Sequence, residues 1–102
     1  MAKTKRAKAC DITPKVKDRV WERDGRRCVI CQSPNAMPNS HVVRRSQGGL
    51  GIEENIVTMC LCCHSMWDQY IDRPNMEAYI EKYLRNIYPN WDKKNLVYKK
   101  GK

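Results

Sequence analysis

Cys28-Val29-Ile30-Cys31 and Cys60-Leu61-Cys62-Cys63-His64 decide how this chain folds. Each stretch contains a Cys-x-x-Cys pair, and two such pairs have the separation at which four thiolates grip one tetrahedral zinc ion. Cys62 competes with Cys63 for the fourth place. The Cys60-x-Cys62 span is tighter than the usual two-residue knuckle, so Cys63 is the favoured ligand. With sulfur from Cys28, Cys31, Cys60 and Cys63 the site is closed to water. Its zinc is expected to be structural and to contribute folding free energy directly. Cys10 and Cys62 are left as ordinary thiols.

The chain has 102 residues, which supports one domain, and a domain this short usually needs a staple beside its core. Six cysteines also fit a disulfide framework. Against that, the first residues lack the apolar segment of a secretory signal, and no apolar run reaches the roughly 18 residues of a membrane span. A reduced, intracellular, soluble protein is the expectation, and in such a compartment paired cysteines hold metal. Twenty Lys and Arg against eleven Asp and Glu give a net charge of +9. The excess lies near both ends and, as Arg26, Arg27, Arg44 and Arg45, beside the cysteine module. That pattern suits a polyanion such as nucleic acid, while terminal lysines taken alone are equally solubilising tails.

Residues 1–12 are short on apolar periodicity and rich in Lys, so a basic mobile arm is expected there. A single domain then spans 13–92, its central module covering about 27–72, and a basic tail occupies 93–102. Thr13 caps a helix that Pro14 opens, with Val16, Val20 and Trp21 as its apolar stripe and Asp24-Gly25 as its end. Residues 27–37 read as knuckle and turn, punctuated by Pro34-Asn35 and Pro38-Asn39. Short strands are expected at 40–43 and 56–59, joined by a loop containing Gly48, Gly49 and Gly51. A helix over about 62–71 stops at Arg73-Pro74. Asn75 caps the next helix, which buries Met76, Tyr79, Ile80, Tyr83, Leu84 and Ile87 on one face. Trp67 and Trp91 are expected in the core.

His41 and His64 are the whole histidine complement, and both lie within or beside the cysteine module. One sits on an expected strand and the other opens an expected helix. His64 and Asp68, at i and i+4, share a helix face that can meet the strand histidine across a small cleft. Imidazole nitrogen and carboxylate oxygen suit Mg²⁺, Mn²⁺, Ni²⁺ or Zn²⁺ and leave positions for water and phosphate oxygens.

Ser40-His41, Asn55, His64 and Asp68, with the segment Arg45-Ser46-Gln47-Gly48-Gly49-Leu50-Gly51-Ile52-Glu53-Glu54 and the two cysteine pairs, resemble the HNH endonucleases, in particular the small ones of bacteriophages and prophages. The resemblance covers about residues 20–70. It implies a small α+β fold, a ββα-metal (His-Me finger) module stapled by the four-cysteine zinc site, with flanking helices. It implies hydrolysis of DNA phosphodiester bonds with a catalytic divalent ion (Mg²⁺, Mn²⁺, Ni²⁺ or Zn²⁺), leaving 5′-phosphate and 3′-hydroxyl ends. In those terms His41 is the general base and His64 a ligand of the catalytic ion. Asn55 holds the loop that aims His41, and Asp68 stands where a second helix ligand often occurs. The residue before the base, often His or Asp in the family, is Ser40 here, a weak ligand. Arg45, with Arg44, is expected to clamp a phosphate near the scissile bond. The same resemblance implies action in the cytoplasm of a bacterial host and a role beside the phage terminase in DNA processing and packaging.

Two rival readings differ in class. A zinc-knuckle module that binds nucleic acid without cutting fits the charge and the cysteines, but gives no reason to gather His41, Asn55, His64 and Asp68. A RING-like interaction domain requires a second closed zinc site, for which the ligands are too few.

Overall fold

The structure is a computed structural model that describes residues 4–69 and 71–99. In chain order its elements are α1 (Lys5–Cys10), α2 (Pro14–Arg23), β1 (Ala36–His41), β2 (Ile56–Cys60), α3 (Leu61–Asp68) and α4 (Arg73–Ile87). Single 3₁₀ turns lie at Arg45–Gln47, Glu53–Asn55 and Lys93–Leu96. Among the described residues the fold is small and mixed α+β, with one two-stranded antiparallel sheet. Among the described residues no helix is long and apolar enough to cross a membrane.

Helix α2 follows its local signals. Thr13 Oγ1 accepts from the Val16 amide at 3.3 Å, and Pro14 occupies the first turn, where its missing N–H costs nothing. Strand β2, expected at 56–59, extends to Cys60 and is buried along its whole length. Strand β1 departs from expectation, occupying 36–41 instead of 40–43. Its register pairs Met37 with Met59 but Ser40 with Val57, so one extra residue is accommodated across Pro38 and Asn39. Proline has no amide to give the ladder, and a bulge tolerates it inside the strand. Beyond His41 the pairing ends because Asn55 takes over: its carbonyl accepts from the Val42 amide and its side chain from the Val43 amide, both at 2.8 Å.

Helix α3 begins at Leu61, one residue earlier than expected, because the Cys60 sulfur serves as its cap and accepts from the Cys63 amide. It ends at Asp68. Arg73-Pro74 does not stop a helix but starts one: Pro74 lies in the first turn of α4, and Asp72, not Asn75, stands at the cap position. Arg73 is buried, its guanidinium 3.6 Å from the Trp67 ring centre and donating to the Trp67 carbonyl. Met76, Ile80 and Leu84 are core, with Trp67 and Trp91. The stripe is narrower than expected, since Tyr79 is 52 % exposed and Ile87 38 %.

The ends are corrected most. Residues 1–3 lie outside the described residues, but the expected arm is a helix from Lys5 onward, capped by Thr4 and burying Cys10. Its ties to the domain include main-chain hydrogen bonds such as Gly51 amide to Ala9 carbonyl, which need no apolar stripe. Residues 100–102 lie outside the description as well, whereas 93–99 of the expected tail are tied to the domain. The Leu96 carbonyl accepts from Leu50, and the Tyr98 amide donates to the Gly48 carbonyl. Lys93 pairs with Glu77 and Glu81.

A buried carboxylate links three elements. Asp24 accepts from the Thr58 amide at 2.8 Å, the Tyr83 hydroxyl at 2.6 Å and the Arg23 guanidinium at 2.8 Å. Arg23 in turn donates to the carbonyls of Glu53 and Ile56, pinning the approach to β2. Asp24→Ala strips a largely buried guanidinium of its counter-charge and is expected to destabilise the fold by about 3–5 kcal/mol. Urea unfolding checks this, and an unchanged midpoint would count the network as ornamental.

Candidate functional site

The knuckles fold locally and then meet. On the first, the amides of Ile30 and Cys31 point at the Cys28 sulfur at 3.4 and 3.5 Å; on the second, the Cys63 amide points at Cys60 Sγ at 3.3 Å. The Val29 amide donates to the Thr58 carbonyl and seats the first knuckle against β2. The four sulfurs of Cys28, Cys31, Cys60 and Cys63 all lie within 4.8 Å of one another. Sulfurs about 2.3 Å from a tetrahedral zinc stand roughly 3.8 Å apart, so the donor set fits that ion. The electrostatics point the same way. Burial raises the Cys28 thiol, but the backbone amides around it outweigh burial and bring it down to about 7. Cys63 is pushed well up by burial, then by its thiol neighbours and the Cys28 charge. Four sulfurs this close need a cation to ionise together. Cys62, exposed, stands outside the cluster, and Cys10 is buried elsewhere.

His41, His64 and Asp68 line one cleft of about 310 Å³, with Arg44, Arg45 and Asn39 around it. Ser40 Oγ is 2.6 Å from His64 Nδ1, and His64 Nε2 is 3.1 Å from the Asp68 carboxylate. A carboxylate only accepts, so in neutral His64 the Nε2 carries hydrogen and Nδ1 accepts from the Ser40 hydroxyl. His41 Nε2, in the same cleft, is 3.0 Å from the Cys10 carbonyl. A carbonyl also only accepts, so Nε2 carries the hydrogen and Nδ1 keeps its lone pair. Burial lowers the His41 pKa, the Cys10 hydrogen bond opposes this, and the Arg45 charge lowers it further, with a net shift downward. The ring is therefore neutral at pH 7 and able to accept a proton.

Asn55 is fully buried and hydrogen-bonded throughout. Its oxygen accepts from the Val43 amide, and its nitrogen donates to the carbonyls of Val43 and Leu50 at 3.2 and 2.8 Å. It closes the loop between the strands. Gly49 lets that loop fold back, since a Cβ there would lie 1.7 Å from the Val43 carbonyl oxygen. Arg44 donates to the Asp68 carbonyl at 2.7 Å, and Arg45 is ion-paired with Asp11 while also donating to the Ala7 carbonyl. Each arginine thus has protein partners while lining the cleft. Sequence reasoning missed Asn39, which the β1 bulge brings to the cleft, and the Cys10 carbonyl. Pro38-Asn39 reads as a turn in the sequence and gives no signal for the first, and a backbone carbonyl gives none for the second.

The chain matches no family model, no curated protein and no solved structure.

Proposed function

We propose that this chain is a metal-dependent DNA endonuclease of the HNH type, with β1, β2 and α3 as its ββα module. The observation that carries the reading is the convergence of His41, His64 and Asp68 on one cleft, with Asn55 locking the loop between the strands. His41 Nδ1 takes the proton of the water that attacks phosphorus, and the Cys10 carbonyl keeps the other ring nitrogen protonated. Arg44 and Arg45 at the cleft offer cationic donors to phosphate oxygens, and the basic balance favours a polyanion. His64, through the Nδ1 lone pair that now accepts from Ser40, would hold a divalent ion that supplies charge stabilisation at the phosphate, with Ser40 as a weaker oxygen and Asp68 joining once it leaves the His64 Nε2 hydrogen. The closed sulfur site is the structural zinc staple.

Supercoiled plasmid with purified protein tests the reading. Nicked or linear product is expected with Mg²⁺ or Mn²⁺, stopped by EDTA and restored by excess Mg²⁺. Asp68→Ala is expected to raise the half-maximal metal concentration by about 10-fold, and His64→Ala by more. Ser40→Asp is expected to lower it. DNA binding without cleavage under Mg²⁺, Mn²⁺, Ni²⁺ and Zn²⁺ alike sinks the enzyme in favour of a binding module.

A further inference from the structure

Helix α1 lies outside the segment that carries the endonuclease resemblance, yet its last carbonyl reaches the chemistry. The final four carbonyls of a helix have no intrahelical partner, and they carry the negative end of its dipole. In α1 the Ala7 carbonyl accepts from the Asp11 amide, the Ala9 carbonyl from the Gly51 amide, and the Cys10 carbonyl faces His41 Nε2. Three further ties fix the helix in that pose. Arg45 grips Asp11 and the Ala7 carbonyl, and Arg6 donates to the Ser46 carbonyl at 3.1 Å. Cys10 itself is 2 % exposed, so water competes little with the ring for its carbonyl.

Gly51 makes the approach possible. A Cβ at that position would lie 2.0 Å from the Asp11 carbonyl oxygen and 3.0 Å from that of Cys10. Both are backbone atoms that cannot swing aside as a side chain can.

We propose that α1 is a positioning element for His41: the Cys10 carbonyl holds the ring as its Nε2–H tautomer and in its orientation, and Gly51 is the residue that admits this carbonyl. The naming of His41 as base rests on the endonuclease reading. Cys10 and Gly51 touch no substrate; they act through His41, leaving Nδ1 as the nitrogen that faces the reaction.

The test is nitrogen-15 NMR of the zinc-loaded full chain at neutral pH, with neither DNA nor a further divalent ion present. Expected in the wild type are a proton on His41 Nε2, protected from exchange with water, and an unprotonated Nδ1. In Gly51→Ala that protection is lost with zinc content retained, and plasmid cleavage slows by about 100-fold, the scale of a 1 Å misplacement. If Gly51→Ala fails to retain zinc, Asp11→Ala replaces it. That variant removes the carboxylate beneath Arg45 without adding volume, and faster exchange of the Nε2 proton is again expected. A wild-type Nε2 without its proton, or equal protection in a zinc-loaded variant, overturns the proposal. So does loss of protection at an unchanged cleavage rate. Absence of cleavage by the wild type with the NMR pattern intact removes the endonuclease reading instead, and leaves the α1–His41 contact standing.

Discussion

Cys63→Ser is expected to abolish zinc binding and to unfold the chain. A structural four-thiolate zinc contributes about 10–16 kcal/mol to folding at neutral pH, whereas the net stability of a small domain is about 5–15 kcal/mol. Loss of one ligand therefore removes a quantity comparable to the whole stability. Cys63 is also 6 % exposed and packed in the main core, so the substitution places a hydroxyl among apolar neighbours. Cys62, the exposed neighbour outside the cluster, is the internal control, and Cys62→Ser is expected to keep zinc and stability unchanged. Elemental analysis and circular dichroism check both. Folded, zinc-free wild-type protein, or a Cys63→Ser variant that retains its metal, would remove the staple from the account.

His41→Ala is the second large effect, expected to reduce plasmid cleavage by about 10²–10⁴-fold, the range typical for removal of a general base. Folding and zinc content are expected to persist, because His41 is only half-buried and lies outside the sulfur cluster. DNA affinity is expected to stay close to wild type. Burial, against the opposing Cys10 hydrogen bond, and the Arg45 charge keep the imidazole neutral below the ordinary histidine range. The wild-type rate is accordingly expected to hold its plateau at pH 7 and to fall only on further acidification. Undiminished cleavage by His41→Ala would falsify the assignment of the base.

Much of the centre was legible before any coordinates. A Cys-x-x-Cys knuckle depends on a few adjacent residues, and the four sulfurs gather as their spacing requires. The cap of α2 at Thr13-Pro14 and the strand at β2 are equally local. The i,i+4 spacing of His64 and Asp68 survives in α3 as an observed contact of 3.1 Å. The register of β1 was not legible, because Pro38-Asn39 signals a turn unless a partner strand imposes a bulge. The start of α4 is illegible for a related reason: Arg73 is held by Trp67 from another helix, and Pro74 suits a first turn as well as a terminus.

The amino-acid sequence by itself determined which four cysteines cluster, the histidine and acidic side chains available for chemistry, and most helices and strands, since those follow from side-chain type and short-range spacing. Only the tertiary structure decided that residues 5–10 and 93–99 belong to the domain. A six-residue helix has too few hydrogen bonds to stand alone and takes its stability from contacts such as Gly51 to Ala9 and Arg45 to Asp11. It likewise decided that Asp24 is a buried hub and that a main-chain carbonyl holds His41. Backbone groups are the same at every residue, so which of them meets a given side chain is set by packing between distant segments and leaves no mark in the order of residues.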